Sequence, residues 1–342
     1  MISVDLGSRV TKAVYLQRKG QEFVLSRYAL LDAPIFEKSM PADLLSEHLK
    51  NIHQALEAKT RQVALAIGVN DSVVRQTEMP QIPVNDMRQV LKNNSKSYLQ
   101  QDLQGHIFDC YVIPSRQPEK AVDKSKGGAV IQKAKVLVAS AKKQLVDEFQ
   151  TAIKNSGLLA DHIVPGVIGP INAFEKAMPE VFSKEVVALV DIGFKNSTIC
   201  LLQEGELILT RVVAIGGDKF TQGLADAMNI SYAEAEGIKV GMPGEVQSNL
   251  EVLVAPLGRE LRASIDFFEH QQDKLVAHIF ISGGSSRSES VVQTLQTELG
   301  VECKTWNPAS FLQLSLPPQQ AEELPQRAAQ LTVAIGTAMA AF

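Results

Sequence analysis

The sequence is poor in the features that announce several common functions. Its three cysteines, Cys110, Cys200 and Cys303, are far apart and form no C-x-x-C pair. That argues against a disulfide framework or a cysteine zinc site and fits reduced, buried thiols in a cytosolic chain. The six histidines form no H-x-x-x-H or H-x-x-C cluster, so no zinc site is expected. Apolar runs such as Val186 to Val190 fall far short of the ~20 residues a membrane span needs. No charged-then-apolar leader precedes the first strand, so the expectation is a chain that stays in the cytoplasm without inserting into the bilayer. Acidic and basic residues are interspersed, the net charge is −4, and no basic stripe is present. Nucleic acid is therefore not an expected partner. Neither a G-x-G-x-x-G fingerprint nor a G-x-x-x-x-G-K-[ST] loop occurs, and no G-x-S-x-G elbow, which removes Rossmann, P-loop and acyl-transfer readings.

What the chain does have is length and a repeat. Its 342 residues, 45% hydrophobic, can bury a sizeable core as two or three domains or one bilobed unit. From Val4 it reads V-D-L-G-S-R-V-T-K-A-V-Y-L-Q, then Lys19-Gly20, then F-V-L-S-R. From Val190 it reads V-D-I-G-F-K-N-S-T-I-C-L-L-Q, then Glu204-Gly205, then L-I-L-T-R. Each copy is an apolar run, a polar loop, an alternating stretch and a Gly-containing turn before a strand ending in Arg27 or Arg211, which is the pattern of a β-hairpin. Copies half a chain apart imply two lobes of similar topology with facing loops.

The first loop carries phosphate chemistry. Gly7 lets the backbone turn so that N–H groups approach an anion, Ser8 and Thr11 add hydroxyls, and Lys12 brings positive charge to the outer phosphates. Asp5 suits a hydrated Mg²⁺ held through water. The second loop repeats the aspartate and glycine as Asp191 and Gly193, with Asn196, Ser197 and Thr198 as donors and no lysine equivalent to Lys12. Two later stretches pass from strand through glycines to helix. One is Gly216-Gly217, ahead of a helix with Phe220, Leu224 and Met228 on one face; the other is Gly283-Gly284-Ser285. Both place helix N-termini where polar ligand atoms can meet unpaired N–H groups.

These motifs, in this order, with "AEGIKVG" at Ala235 to Gly241, "SGGSS" at Ser282 to Ser286 and "VAIGTAMAAF" at Val333 to Phe342, resemble the actin-like ATPase superfamily. Within it, "GGDKFTQGLADAMNISYAEAEGIK", "LRASIDFFEHQ", "LGVECKTWNP" and "VASAKKQLVDEFQTAIKNSGL" make the chain similar to the PilM family of type IV pilus assembly, relatives of the cell-division protein FtsA.

The resemblance implies an α/β, actin-like (ribonuclease H-like) two-lobed ATPase fold with an inserted α-β-β-α subdomain. Residues 1–80 and about 158–185 would form the first lobe, 81–157 the insert and 186–342 the second lobe, whose smaller part is about 218–275. It implies ATP and Mg as cofactors, with Asp5 and Asp191 holding the metal through water. Asp5, Gly7, Ser8 and Lys12 stand at one phosphate loop and Asp191, Gly193, Ser197 and Thr198 at the other. Glu236 and Lys239 match the helix beside ribose and base, and Gly283, Gly284 and Ser285 the adenosine loop. Residue spacing agrees: Ser231 and Glu234 form a capping box that starts a helix, with Glu236 and Lys239 neighbours on its surface. Gly336 fits a helix packed closely on another backbone.

In the insert, "QVALAIGVNDSVVRQTEMP" reads as a strand hairpin closing near Pro80, followed by a helix from Asn85 to about Leu103. A second helix, from about Lys142 to Asn155, is capped by Ser140, carries Leu145, Phe149 and Ile153 on one face and stops at Gly157. The charged loop Ser115 to Gly128 reads as a hairpin tip.

Three function classes follow. An ATP-binding assembly platform would turn over slowly or not at all. By resemblance it would bind the cytoplasmic N-terminal peptide of a PilN-like inner-membrane protein near the insert, and so sit at the inner face of that membrane, with self-association left open. A sugar- or acetate-type kinase shares the phosphate loops but needs a catalytic base, and no further carboxylate announces one. An FtsA-like filament-forming tether would carry a basic amphipathic helix after the core, where this sequence reads "GTAMAAF". The first reading is the expectation.

Overall fold

The computed structural model describes residues 1–36, 40–114 and 132–342. The first repeat copy folds as a meander of β1 (Ile2–Asp5), β2 (Val10–Lys19) and β3 (Glu22–Asp32). β1 and β2 run antiparallel with Asp5 directly opposite Lys12. The chain then forms α1 (Ala42–Ala55) and returns as β4 (Gln62–Ile67), parallel to β1. From Val63 to Ile67 every β4 residue is buried, as a strand covered on both faces requires, so its apolar run is continuous rather than alternating.

Next come β5 (Ser72–Pro80), α2 (Val84–Leu99), β6 (His106–Val112) and β7 (Lys133–Lys142). The strands form an antiparallel sheet of order β5-β7-β6 over a core of Met79, Met87, Leu91, Leu99, Val136 and Val138. Asn70–Glu148 is a compact unit of its own, whereas the sequence suggested 81–157. The unit gains β5 as an edge strand because the expected hairpin does not form: β4 joins a parallel ladder, while β5 pairs with β7. The turn residues between them, read as a hairpin loop, are a crossing from one sheet to another. Ser140 does not cap a helix either. It lies inside β7, which continues to Lys142, and its buried hydroxyl has no hydrogen-bond partner among the described residues. The loop Ser115 to Gly128 falls outside the described residues.

α3 (Lys143–Asn155) ends as expected, with Gly157 at φ +80° and its N–H bonded to Lys154 O. β8 (Leu159–Pro165) then lies parallel to β4, followed by α4 (Ile168–Ala177) and α5 (Pro179–Lys184). The second repeat copy is the meander β9 (Val186–Ile192), β10 (Ser197–Gln203) and β11 (Glu206–Val213). α6 (Gly217–Met228), α7 (Tyr232–Gly241) and α8 (Gln247–Gln272) separate it from β12 (His278–Ser282), parallel to β9. After α9 (Glu289–Leu299) and β13 (Cys303–Thr305), β14 (Gln313–Leu314) pairs with β3, and α10 (Pro318–Arg327) and α11 (Thr332–Met339) follow.

The sheets have orders β14-β3-β2-β1-β4-β8 and β11-β10-β9-β12-β13. In each, a meander is extended by two parallel strands beside its first strand, so the sequence repeat is a repeat of topology. The second sheet packs on Phe220, Leu224, Leu257, Leu261, Ile265 and Phe268, while Met228, expected on the same face as Phe220, is 38% exposed at the end of α6. α4 and α11 meet backbone to backbone. A Cβ on Gly336 would overlap Gly169 O, and one on Gly169 would lie 2.7 Å from Val333 O. Cys200 and Cys303 are buried, Cys110 is half-buried, and all are free thiols. Among the described residues no helix is long and apolar enough to cross a membrane, and no group of three or more His, Cys, Asp or Glu side chains is placed to hold a metal.

Candidate functional site

The repeated loops come together around one lysine. Lys12 Nζ lies 2.9 Å from Asp5 Oδ2, and the lysine folds back over Gly7, whose N–H bonds Asp5 O at 3.0 Å. A Cβ at Gly7 would overlap Val10 O and lie 2.5 Å from Lys12 Nζ, so only glycine admits this path. Burial pulls the Lys12 pKa down, but the hydrogen-bonded Asp5 and the Asp191 charge of the second loop outweigh it and hold it above its ordinary value. Lys12 is therefore an ammonium shared by two lobes. Asp191 accepts a hydrogen bond from Ser282 Oγ at 2.8 Å. Burial lifts its carboxyl above the ordinary range, against the opposing pull of Ser282 and Lys12.

The second loop keeps the strand register but not the turn hydrogen bond. Gly193 N–H bonds forward to Asn196 O at 3.0 Å, where Gly7 N–H bonds back to Asp5 O, and Thr198 stands opposite Asp191 as Lys12 stands opposite Asp5. Thr198 thus holds the lysine position, which makes the loops asymmetric in charge. Ser8 is exposed and Asn196 half-buried at their tips.

Two expected donors face elsewhere. Thr11 is 1% exposed, and its Oγ1 lies 2.8 Å from Nε2 of the buried His48 on α1. Ser197, at the equivalent position, donates to Ile215 O at 2.7 Å. Each directly precedes Lys12 or Thr198 in a strand, and the pleat turns neighbours to opposite faces. A hydroxyl in the loop sequence carries no mark of the face it takes until the strand register is set.

The glycine turns also differ from expectation. Gly217 N–H bonds Gly193 O at 2.9 Å and Asp218 N–H bonds Phe194 O at 2.9 Å. The first N–H groups of α6 are thus consumed by the second loop rather than offered to a ligand. Gly216 and Gly217 are needed for closeness: a Cβ at Gly216 would overlap Phe194 O, and one at Gly217 would overlap Ser285 Oγ. Gly283, at φ +90°, packs on Ile192, where a Cβ would lie 2.5 Å from its O. Gly284 and Ser285 begin a short 3-10 turn, Gly284–Arg287, ahead of α9.

α7 begins with the expected Ser231–Glu234 capping box. Glu236 and Lys239, however, are no surface pair. Lys239 is 2% exposed, and its Nζ meets Glu236 Oε2 and Thr221 Oγ1 at 2.7 Å each, while Thr221 Oγ1 donates to Glu236 Oε2 at 2.6 Å. Burial pulls the Lys239 pKa down. It would push Glu236 up, but Lys239 and Thr221 bring that carboxyl below its usual range. The triad ties α7 to α6.

Sequence reasoning missed the groups that cross between the lobes: Arg9 of the first loop, Phe194 and Lys195 of the second, Asp218 of α6 and Tyr232 of α7. Arg9 Nη1 donates to the Tyr232 hydroxyl at 3.2 Å across 223 residues of sequence. The repeat held a signal, since Arg9 and Lys195 both lie four positions after the loop aspartate.

A family model, type IV pilus assembly protein PilM, matches residues 3–342. The chain belongs to the PilM family. Over 99% of its length it superimposes on 98% of a chain in the PilM-PilN type IV pilus biogenesis complex, with a TM-score of 0.82 at 20% identity. MreB 5 of Spiroplasma citri bound to AMPPNP superimposes over 99% of this chain and 94% of its own, with a TM-score of 0.52 at 11% identity. The fold of this PilM-family chain is therefore actin-like. The cell division protein FtsA of Bacillus subtilis (strain 168) is 22% identical over 255 residues, 70% of this chain and 57% of FtsA. The chain thus spans little more than half the length of that relative.

Proposed function

We propose that this PilM-family chain binds Mg·ATP between its two repeated loops and serves as an assembly platform of a type IV pilus machine. The observation that carries the nucleotide reading is the Asp5–Lys12–Asp191 arrangement: one ammonium shared by both loops beside a glycine whose missing side chain makes room for it. Lys12 supplies charge for the outer phosphates, and Ser8, Asn196 and Thr198 supply polar atoms at the loops. Glu236, Lys239, Gly283, Gly284 and Ser285 border the nucleoside end. Asp5 and Asp191 would hold Mg²⁺ through water, as two carboxylates without a third protein ligand suit an ion that retains its hydration. Bound Mg²⁺ would neutralise phosphate charge. MreB 5 bound to AMPPNP shows that the fold accommodates a nucleotide in that protein.

The partner reading rests on the PilM-PilN complex, whose fold this chain shares. The proposed partner is the N-terminal peptide of a PilN-like inner-membrane protein, bound near the unit Asn70–Glu148. It would hold the chain at the cytoplasmic face of that membrane. The test is titration of the full chain with Mg·ATP and then with that peptide, followed by a phosphate-release assay. Nucleotide binding with slow hydrolysis and peptide affinity supports the platform. Rapid phosphoryl transfer to a small molecule would make the chain a kinase instead.

A further inference from the structure

Arg9 leaves the first loop and ends in the second lobe. Its guanidinium carbon lies 5.2 Å from the ring centre of Phe194 and 5.2 Å from that of Tyr232, and Nη1 donates to the Tyr232 hydroxyl at 3.2 Å. That hydroxyl donates to Asp218 Oδ1 at 3.0 Å, and Asp218 Oδ2 pairs with Lys195 Nζ at 2.7 Å. Lys195 Nζ also lies 5.2 Å from the centre of the Phe194 ring. One ring thus receives a cation from the same position of each repeat.

The two cations are not equally satisfied. Lys195 has a carboxylate. Arg9, among the described residues, has two ring faces, a neutral phenol and no carboxylate within ion-pair distance; the charges of Asp218 and Glu236 act on it only from farther away. An exposed guanidinium on aromatic faces is held weakly. A phosphate, which a guanidinium grips with two parallel charge-assisted bonds, is a far stronger partner. Arg9 lies two residues after Gly7 and three before Lys12, on the loop that the nucleotide reading assigns to phosphates.

We propose that Arg9 senses the terminal phosphate of a bound nucleoside triphosphate. The outermost phosphate draws the guanidinium from between Phe194 and Tyr232, so a link between the lobes is exchanged for a link to the nucleotide, and the start of α7 is released. A diphosphate, one phosphate shorter, leaves the stack in place. This rests on the nucleotide reading above.

The test is titration of the full chain with Mg·ATP and Mg·ADP in the wild type, Arg9→Ala and Phe194→Leu, with hydrogen exchange followed at the start of α7. Arg9→Ala is expected to lose about tenfold in Mg·ATP affinity, the size of one charge-assisted contact, with Mg·ADP almost unchanged. Phe194→Leu removes the ring that Arg9 and Lys195 share. Because it weakens the stack competing for Arg9, it is expected to raise the ratio of Mg·ATP to Mg·ADP affinity; a lowered ratio would count against the exchange. Exchange near Tyr232 should rise when Mg·ATP binds the wild type and should already be high in Arg9→Ala. If wild type binds both nucleotides but Arg9→Ala loses them equally, or loses neither, the Arg9 role is overturned while the nucleotide reading stands. Wild type that binds neither nucleotide overturns both.

Discussion

Thr198 stands in the second loop where Lys12 stands in the first, each directly across a strand pair from its loop aspartate, Asp191 and Asp5. One lysine therefore serves two carboxylates. It bonds Asp5 at 2.9 Å and its charge also favours the ionised form of Asp191. With both carboxylates ionised, one negative charge in this trio is unmatched, which suits a hydrated divalent cation in the proposed reading. A second lysine at Thr198 would have removed that imbalance.

Asp191 carries a stability cost with a defined sign. Burial lifts its carboxyl above the ordinary 3.8, despite Ser282 and Lys12. An acid with a raised folded pKa binds more protons folded than unfolded. Stability is therefore full below the ordinary value and falls as pH rises through the raised one. Asp191→Asn keeps an acceptor for Ser282, so it is expected to raise the urea midpoint at pH 7 and to flatten that pH dependence while weakening Mg·ATP binding. A lowered midpoint at unchanged m-value would contradict burial as the dominant cause.

Thr11 tests which face of β2 the site uses. Thr11→Val removes the hydroxyl 2.8 Å from His48 Nε2, leaving a buried ring nitrogen unpaired at a cost of about 1–3 kcal/mol. Urea denaturation should show that loss, and calorimetry should show unchanged Mg·ATP affinity. Weakened nucleotide binding at full occupancy of the folded state would return Thr11 to the phosphate loop.

The contact of α4 with α11 leaves no room for a methyl group. Gly336→Ala would drive a Cβ into Gly169 O, and the two helices must separate at a cost of about 1–3 kcal/mol or more. Thermal and urea unfolding would measure it. Wild-type stability in this variant would mean that the helices have slack the packing does not show.

The parts legible in the sequence were those written locally or twice. The repeat from Val4 and Val190 became two meanders with matching registers, and Ser231 with Glu234 became a capping box. The lysine missing from the second loop was visible as well. Facing was less legible: Thr11 and Ser197 carry suitable hydroxyls in a suitable loop, yet the pleat sends both away. Partners chosen at long range left no local mark. β5 pairs with β7 rather than β4, and Lys239 is buried against Thr221 across a helix boundary. Arg9 finds Tyr232 only because the two lobes fold onto one another, and no periodicity records that.

The most direct measurement is calorimetric titration of Mg·ATP and of adenosine into the wild type and Lys12→Ala. The expected result is binding of both ligands by wild type. In the variant, Mg·ATP should weaken roughly tenfold to hundredfold, as the loss of a charged hydrogen-bond partner dictates, with adenosine unchanged. Equal Mg·ATP affinity in the two proteins would contradict the assignment of Lys12 and its loop to the phosphates.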